Sequence, residues 1–200
     1  MSNILYYFLA AICGYLLGSI NNSLVVGKFY GVDVRKHGSG NAGTTNTLRT
    51  LGGKAALLVL VGDILKAIIA CFIGSFLGGL TSVMIGGAFA IIGHNWPLYF
   101  GFKGGKGVLT AISVIFYIDW ILAVIVLGAF IVVVAITRYV SLGSVIGAAI
   151  LPVLAIIFRR DMEFIIFTVA LAALVIIKHM PNIKRLLNGT ESKLGKKVSH

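Results

Sequence analysis

Long apolar runs separated by short polar stretches set the plan of this chain. The runs fall at 4–26, 54–77, 80–93, 107–118, 120–137, 143–158 and 162–178. A helix that crosses a bilayer needs about 20 apolar residues. The first two runs meet that length, whereas 80–93 and 107–118 are short enough to be tilted, covered by neighbours or re-entrant. Five to seven crossings fit the pattern, and seven is the expectation, in an all-α polytopic membrane protein. With no separating linker, repeat or low-complexity segment, residues 1–200 are expected to form a single integral membrane domain.

Composition sharpens the class. Hydrophobic residues make up 58% and charged residues only 12%, about half the charged share of a soluble domain. The formal net charge of +11 raises nucleic acid as a partner. The basic residues, however, lie between apolar runs rather than on a soluble face, so no nucleic acid is expected. They read instead as topology signals and as contacts to anionic lipid or phosphate. Cys13 and Cys71 sit inside apolar runs and imply neither a disulfide nor a metal framework. With seven spans, nearly all Lys and Arg fall on one side. The other side holds only Arg159 and Arg160, beside Asp119, Asp161 and Glu163. That asymmetry puts the N-terminus outside and the C-terminus in the cytoplasm. The polar stretches 27–53 and 94–106, the stretch 138–144 and the tail from 179 then share the cytoplasmic face. Lys193, Lys196 and Lys197 read as lipid-facing anchors.

Those stretches carry the candidate chemistry. Gly38-Ser39-Gly40-Asn41-Ala42-Gly43-Thr44-Thr45-Asn46, closed by Arg49, lacks large apolar side chains. Glycines let backbone N–H groups converge on an anion, and a guanidinium fork matches phosphate. The second stretch, Gly93-His94 through Lys103-Gly104-Gly105-Lys106-Gly107, places glycines and two lysines before a helix start, another anion cradle. It is not a Walker loop, because Phe100 and Gly107 stand where Gly and Ser/Thr are required. The third is Arg138-Tyr139-Val140-Ser141-Leu142-Gly143-Ser144, whose serines alone would read as helix caps. The fourth sets His179, Asn182 and Arg185 at near-helical spacing ahead of Glu191. Asp63 and Lys66, three residues apart within a span, share a helix face. They either neutralise each other and order the bundle or serve the site.

Together these four motifs, in this order along the whole chain, resemble the acyl-phosphate-dependent glycerol-3-phosphate acyltransferases of bacterial membranes. The resemblance implies acyl transfer from acyl phosphate to the 1-hydroxyl of sn-glycerol 3-phosphate. The products are lysophosphatidic acid and phosphate, the first committed step of phospholipid synthesis. It further implies that acyl-CoA and acyl carrier protein are not direct donors, and that a partner enzyme makes acyl phosphate from acyl carrier protein. By the same resemblance Ser39, Arg49, Lys106, His179 and Asn182 are catalytic. The resemblance also implies that Gly104, Gly105, Gly107, Ser141 and Ser144 bind substrate. Gly40, Asn41, Gly43, Thr45, Asn46, His94 and Lys103, in the same motifs, are expected to bind substrate from the anion-cradle reading, although a lone His such as His94 is more often structural. Glu191 is structural, and Asp63 and Lys66 are grouped with it.

The residues agree with that chemistry. Two phosphate-bearing substrates need two anion pockets, and acyl phosphate is an activated anhydride. Positioning two such reactants supplies roughly 7–11 kcal/mol. No cofactor is implied, and no HExxH, CxxC or carboxylate cluster suggests a metal. The His-x4-Asp pattern of other glycerophospholipid acyltransferases is also missing. Direct attack by the glycerol hydroxyl is the preferred route, with a Ser39 acyl-enzyme as the alternative. An anion transporter is the competing class, although its ligands would cluster at the midplane, where only Asp63 and Lys66 lie.

Overall fold

The computed structural model describes residues 3–195, which are helical with connecting loops and contain no strand. The chain forms two compact units, one running up to Ile118 and one from Asp119 onward. Lys196 and Lys197, counted in the basic tail, lie outside the described residues.

The first unit holds α1 (Asn3–Gly18), α2 (Asn22–Phe29), α3 (Thr44–Leu51), α4 (Gly53–Asn95) and α5 (Val108–Ile118). The apolar run 4–26 is not one continuous helix. The chain leaves helical geometry after Gly18, and Asn21 caps α2 by accepting from the Leu24 N–H at 3.1 Å. An asparagine at that position satisfies a donor the new helix start would leave orphaned. α4 embraces two expected runs, 54–77 and 80–93, and non-helical geometry at Gly78 and Gly79 divides it. Gly79 takes φ +68, a conformation that costs glycine little and other residues more. The break is a hairpin. Gly74 lies against Ser82, Gly86 against the Ala70 carbonyl, and Lys66 reaches His94, so contacts pair outward from Gly78 and Gly79.

Small residues bring α1 onto the second limb of that hairpin. A Cβ at Gly14 would strike the Gly86 carbonyl, and one at Gly18 the Ala90 carbonyl. Such backbone-to-backbone seams are how helices pack where lipid removes the hydrophobic drive for association. α5 has 11 residues, which at 1.5 Å each falls short of the ~30 Å hydrocarbon layer.

The second unit is made of α6 (Trp120–Thr137), α7 (Val140–Ile157), α8 (Met162–Lys178) and α9 (Met180–Leu187). Asp119 caps α6 by accepting from Leu122 N–H at 3.2 Å and pairs with Arg160 at 2.7 Å. Arg138, at φ 63, reverses the chain between α6 and α7. Only Arg138 and Tyr139 lie between those helices, so Ser141, Gly143 and Ser144 belong to the first turns of α7 and the expected polar stretch 138–144 is mostly helix.

Four stretches are long and apolar enough to cross a membrane: Asn3–Phe29, Gly53–Phe100, Trp120–Thr137 and Val140–Ile157. The pair Met162–Lys178 and Met180–Leu187, bent by 58°, makes a fifth. Burial supports a lipid setting. Phe76 and Ile136 are more than three-quarters exposed, whereas Ser19, Asn21, Ser23 and Thr168 are fully buried. A protein that turned large apolar groups to water and buried hydroxyls would be inside out, but in hydrocarbon this arrangement is stable.

Candidate active site

The loop between α2 and α3 is organised by one side chain. Asn46 accepts from the Ser39 N–H at 2.8 Å and donates to the carbonyls of Val34 (2.8 Å) and His37 (3.0 Å). Its amide is therefore spent on shaping the loop. Ser39 and Gly40 stand exposed on that frame, and Arg49 lies half-buried on α3. Gly43 supplies no side-chain cap to α3, so the positive end of that helix faces the loop backbone. Thr47 is buried and bonds Ser23 at 2.7 Å, fixing α3 to α2. A 3-10 turn at Val34–Lys36 carries Arg35, whose guanidinium pairs with Asp33 at 2.9 Å and donates to the Phe100 carbonyl at 3.1 Å. The Arg35 hydrogen bond holds the Asp33 carboxyl below its ordinary range.

The second glycine stretch folds back on the end of α4. Gly104 N–H donates to the Asn95 carbonyl at 3.2 Å, and Gly105 N–H to the His94 carbonyl at 3.1 Å. The space a Cβ would need at Gly105 is taken by the His94 ring at Nε2 and by the Ala42 carbonyl. The two glycine-rich loops therefore meet there. Lys103 is exposed, Lys106 half-buried, and Gly107 leads into α5 against the Asn95 side chain. Asn41, Gly43 and Thr45 lie in or beside the first loop. Gly43 is buried, and Asn41 and Thr45 are half-buried.

Asp63 and Lys66 do not form an isolated pair. Lys66 Nζ lies 2.9 Å from Asp63 Oδ1 and 2.9 Å from His94 Nδ1. It also donates to the carbonyls of Gly18 (3.1 Å) and Ile20 (3.0 Å), which the break in the first run exposes. Asn22 donates to Asp63 at 3.0 Å. Asp63, Lys66 and His94 are each at least 95% buried.

In the second unit Glu191 is the centre. Its Oε1 accepts from Ser141 and from Asn182, each at 2.7 Å, and its Oε2 from Arg185 Nε at 2.7 Å. Burial pushes the Glu191 carboxyl upward, but the bonds from Asn182, Ser141 and Arg185 outweigh it, leaving it below its ordinary value. His179 is buried at the α8–α9 bend, its Nδ1 2.8 Å from the Val175 carbonyl. Ser144 donates to Val140 O at 2.9 Å within its own helix. Neither serine caps α7: Ser141 reaches the tail and Ser144 bonds back into the helix.

A model of the glycerol-3-phosphate acyltransferase family matches residues 8–189. The chain belongs to that family. A glycerol-3-phosphate acyltransferase from Thermoanaerobacter sp. (strain X514) is 46% identical over 195 residues, covering 97% of this chain and 98% of its own. One from Clostridioides difficile (strain 630) is 45% identical over 198 residues, covering 96% and 97%. Among solved structures, PlsY (YgiH), an integral membrane glycerol 3-phosphate acyltransferase, matches in its glycerol 3-phosphate form. The TM-score is 0.90 at 36% identity, with 94% of this chain and 96% of that chain covered. Its lysophosphatidic acid form matches with a TM-score of 0.87 at 35% identity, covering 94% and 95%. The chain is thus an integral membrane acyltransferase of phospholipid synthesis.

Sequence reading missed several residues that hold this site. Asn21, Asn22 and Ser23 lie inside an apolar run, and that cluster of polar residues was the available signal. Arg35 was counted only as charge, although it ties the 3-10 turn to the second loop.

Proposed function

We propose that this acyltransferase takes its acyl chain from acyl phosphate and places it on the 1-hydroxyl of sn-glycerol 3-phosphate. The observation that carries the reading is the meeting of two glycine-rich loops at Ala42 and Gly105, because two phosphate-bearing substrates must be held side by side. On this reading Ser39 and Arg49 hold the donor phosphate or the developing oxyanion. Lys103, Lys106 and the Gly107 entry to α5 hold the phosphate of glycerol 3-phosphate, on a loop whose close approach Gly104 and Gly105 allow. The glycerol oxygen attacks the acyl carbon, the bond to phosphate breaks, and phosphate leaves with the electron pair. The hydroxyl proton passes to His179 or to a substrate phosphate oxygen. Donation by His179 Nδ1–H to the Val175 carbonyl leaves Nε2 as the acceptor that a base requires. Asn182 and Ser141 are set by Glu191, which acts structurally.

The same reading makes the whole chain one acyltransferase domain in the bacterial cell (plasma or inner) membrane. Its seven crossings count α4 twice across Gly78 and Gly79 and take the short α5 as a crossing covered by its neighbours, and the basic loops put the N-terminus outside and the site on the cytoplasmic face. An enzyme that draws acyl groups from acyl carrier protein to make acyl phosphate would work alongside it. The test is phosphate release by purified protein in lipid, with palmitoyl phosphate and glycerol 3-phosphate against palmitoyl-CoA as donor. Release that needs both palmitoyl phosphate and glycerol 3-phosphate is the expected result. Transfer from the CoA ester alone would overturn the donor assignment.

A further inference from the structure

His94 is gripped from both sides of its ring. On the Nδ1 side lies the Lys66 ammonium at 2.9 Å, a group with donors and no lone pair. Asp63 is 3.6 Å from the same nitrogen, too far for a hydrogen bond, and is itself occupied by Lys66 and Asn22. On the Nε2 side the ring shares the space beside Gly105 with the Ala42 carbonyl oxygen. A proton on Nδ1 would face the ammonium. That contact selects the neutral ring with Nδ1 bare and its proton on Nε2, the edge that lies beside Gly105.

We propose that Lys66, neutralised by Asp63, is a positioning residue that locks His94 in its Nε2–H tautomer and so fixes the junction of the two glycine-rich loops. The consequence is directional. A ring free to turn or change tautomer would no longer present one fixed edge beside Gly105 and the Ala42 carbonyl. The Gly104-Gly105 backbone would then no longer be held in one geometry. The inference deepens the phosphate-binding role given to that loop and rests on it for the kinetic effect, but not for the tautomer.

The experiment uses full-length protein in lipid nanodiscs with ¹⁵N-labelled histidine, His94 being assigned by comparison with His94→Gln. The ring ¹⁵N shifts report which nitrogen carries the proton. The comparison variant is the double substitution Asp63→Asn, Lys66→Met, which removes both charges together and avoids stranding one of them in the core. The wild type should show Nε2–H at His94. The double variant should show mixed tautomers and a KM for glycerol 3-phosphate raised about ten-fold, the size of one lost buried hydrogen bond, with kcat changed less. A wild-type ring protonated at Nδ1 would overturn the proposal. So would a folded double variant with unchanged KM and an unchanged ring signal, the outcome of a purely structural pair. If the double variant does not fold, the wild-type spectrum decides. Should the wild type transfer only from CoA esters, the donor assignment fails while the tautomer result stands.

Discussion

Two buried histidines, His94 and His179, are held in opposite ways. His94, at the end of α4, meets a cation at Nδ1 and so must accept there; His179, at the start of α9, meets a carbonyl at Nδ1 and so donates there. The first ring therefore offers a donor from Nε2 and the second an acceptor. Their surroundings differ as well. The ion pair that fixes His94 is sealed, with side-chain exposures of 5% and 1% for Lys66 and Asp63. The pair next to His179 is open at one end, Arg185 being 39% exposed against 7% for Glu191. Buried charge orders backbone loops in one region, while in the other a carboxylate whose cationic partner meets water gathers the tail.

The sharpest break comes from His179→Ala. If Nε2 is the proton acceptor, kcat falls by about 10²–10⁴ with little change in thermal stability. His94→Gln, which keeps an amide donor near Nε2, should lower kcat far less. Steady-state kinetics on both variants in lipid separates the two roles, and equal losses would erase the contrast.

Asp63→Ala comes next. It leaves the Lys66 ammonium buried without its partner, a cost of about 3–5 kcal/mol, visible as loss of folded protein in detergent thermal melts. The double substitution at 63 and 66 should recover most of that loss.

Glu191→Gln has the smallest effect. With Arg185 open to water the ion pair is screened, and the expected cost is about 1 kcal/mol. The folded-state pKa of Glu191 lies below its unfolded value. Its contribution is therefore complete above the ordinary glutamate range and is lost as pH falls through the folded value. Wild type and variant should converge in stability on acidification. Divergence on acidification would mean that the carboxyl is not held by its three donors.

Much of the architecture was legible in the chain. The runs 54–77 and 80–93 predict the two limbs of α4 because glycines at 78 and 79 interrupt an otherwise continuous apolar pattern. The spacing of His179, Asn182 and Arg185 anticipates α9, since residues three apart share a helix face. The break at Ser19-Ile20-Asn21 was not legible, because run-length reasoning averages over three residues whose effect is local capping. The meeting of Lys66 with His94, 28 residues apart, was hidden for another reason. It depends on the turn between the limbs, and no local pattern states which side chains a turn will bring together. Asn46 shows the reverse error: its donors and acceptor suit a ligand, yet the loop's own backbone uses them.

The turn at Gly78 and Gly79 also bears on how the protein is made. Two glycines join the limbs of α4, so no hydrated loop has to be carried through the bilayer to complete the hairpin. Asp63 and Lys66 neutralise each other on the first limb, and Lys66 meets His94 of the second as the limbs close. Biogenesis is therefore expected to insert α4 as one closed unit, and a hydrophilic segment spliced between Gly78 and Gly79 should slow that step before it alters the finished enzyme.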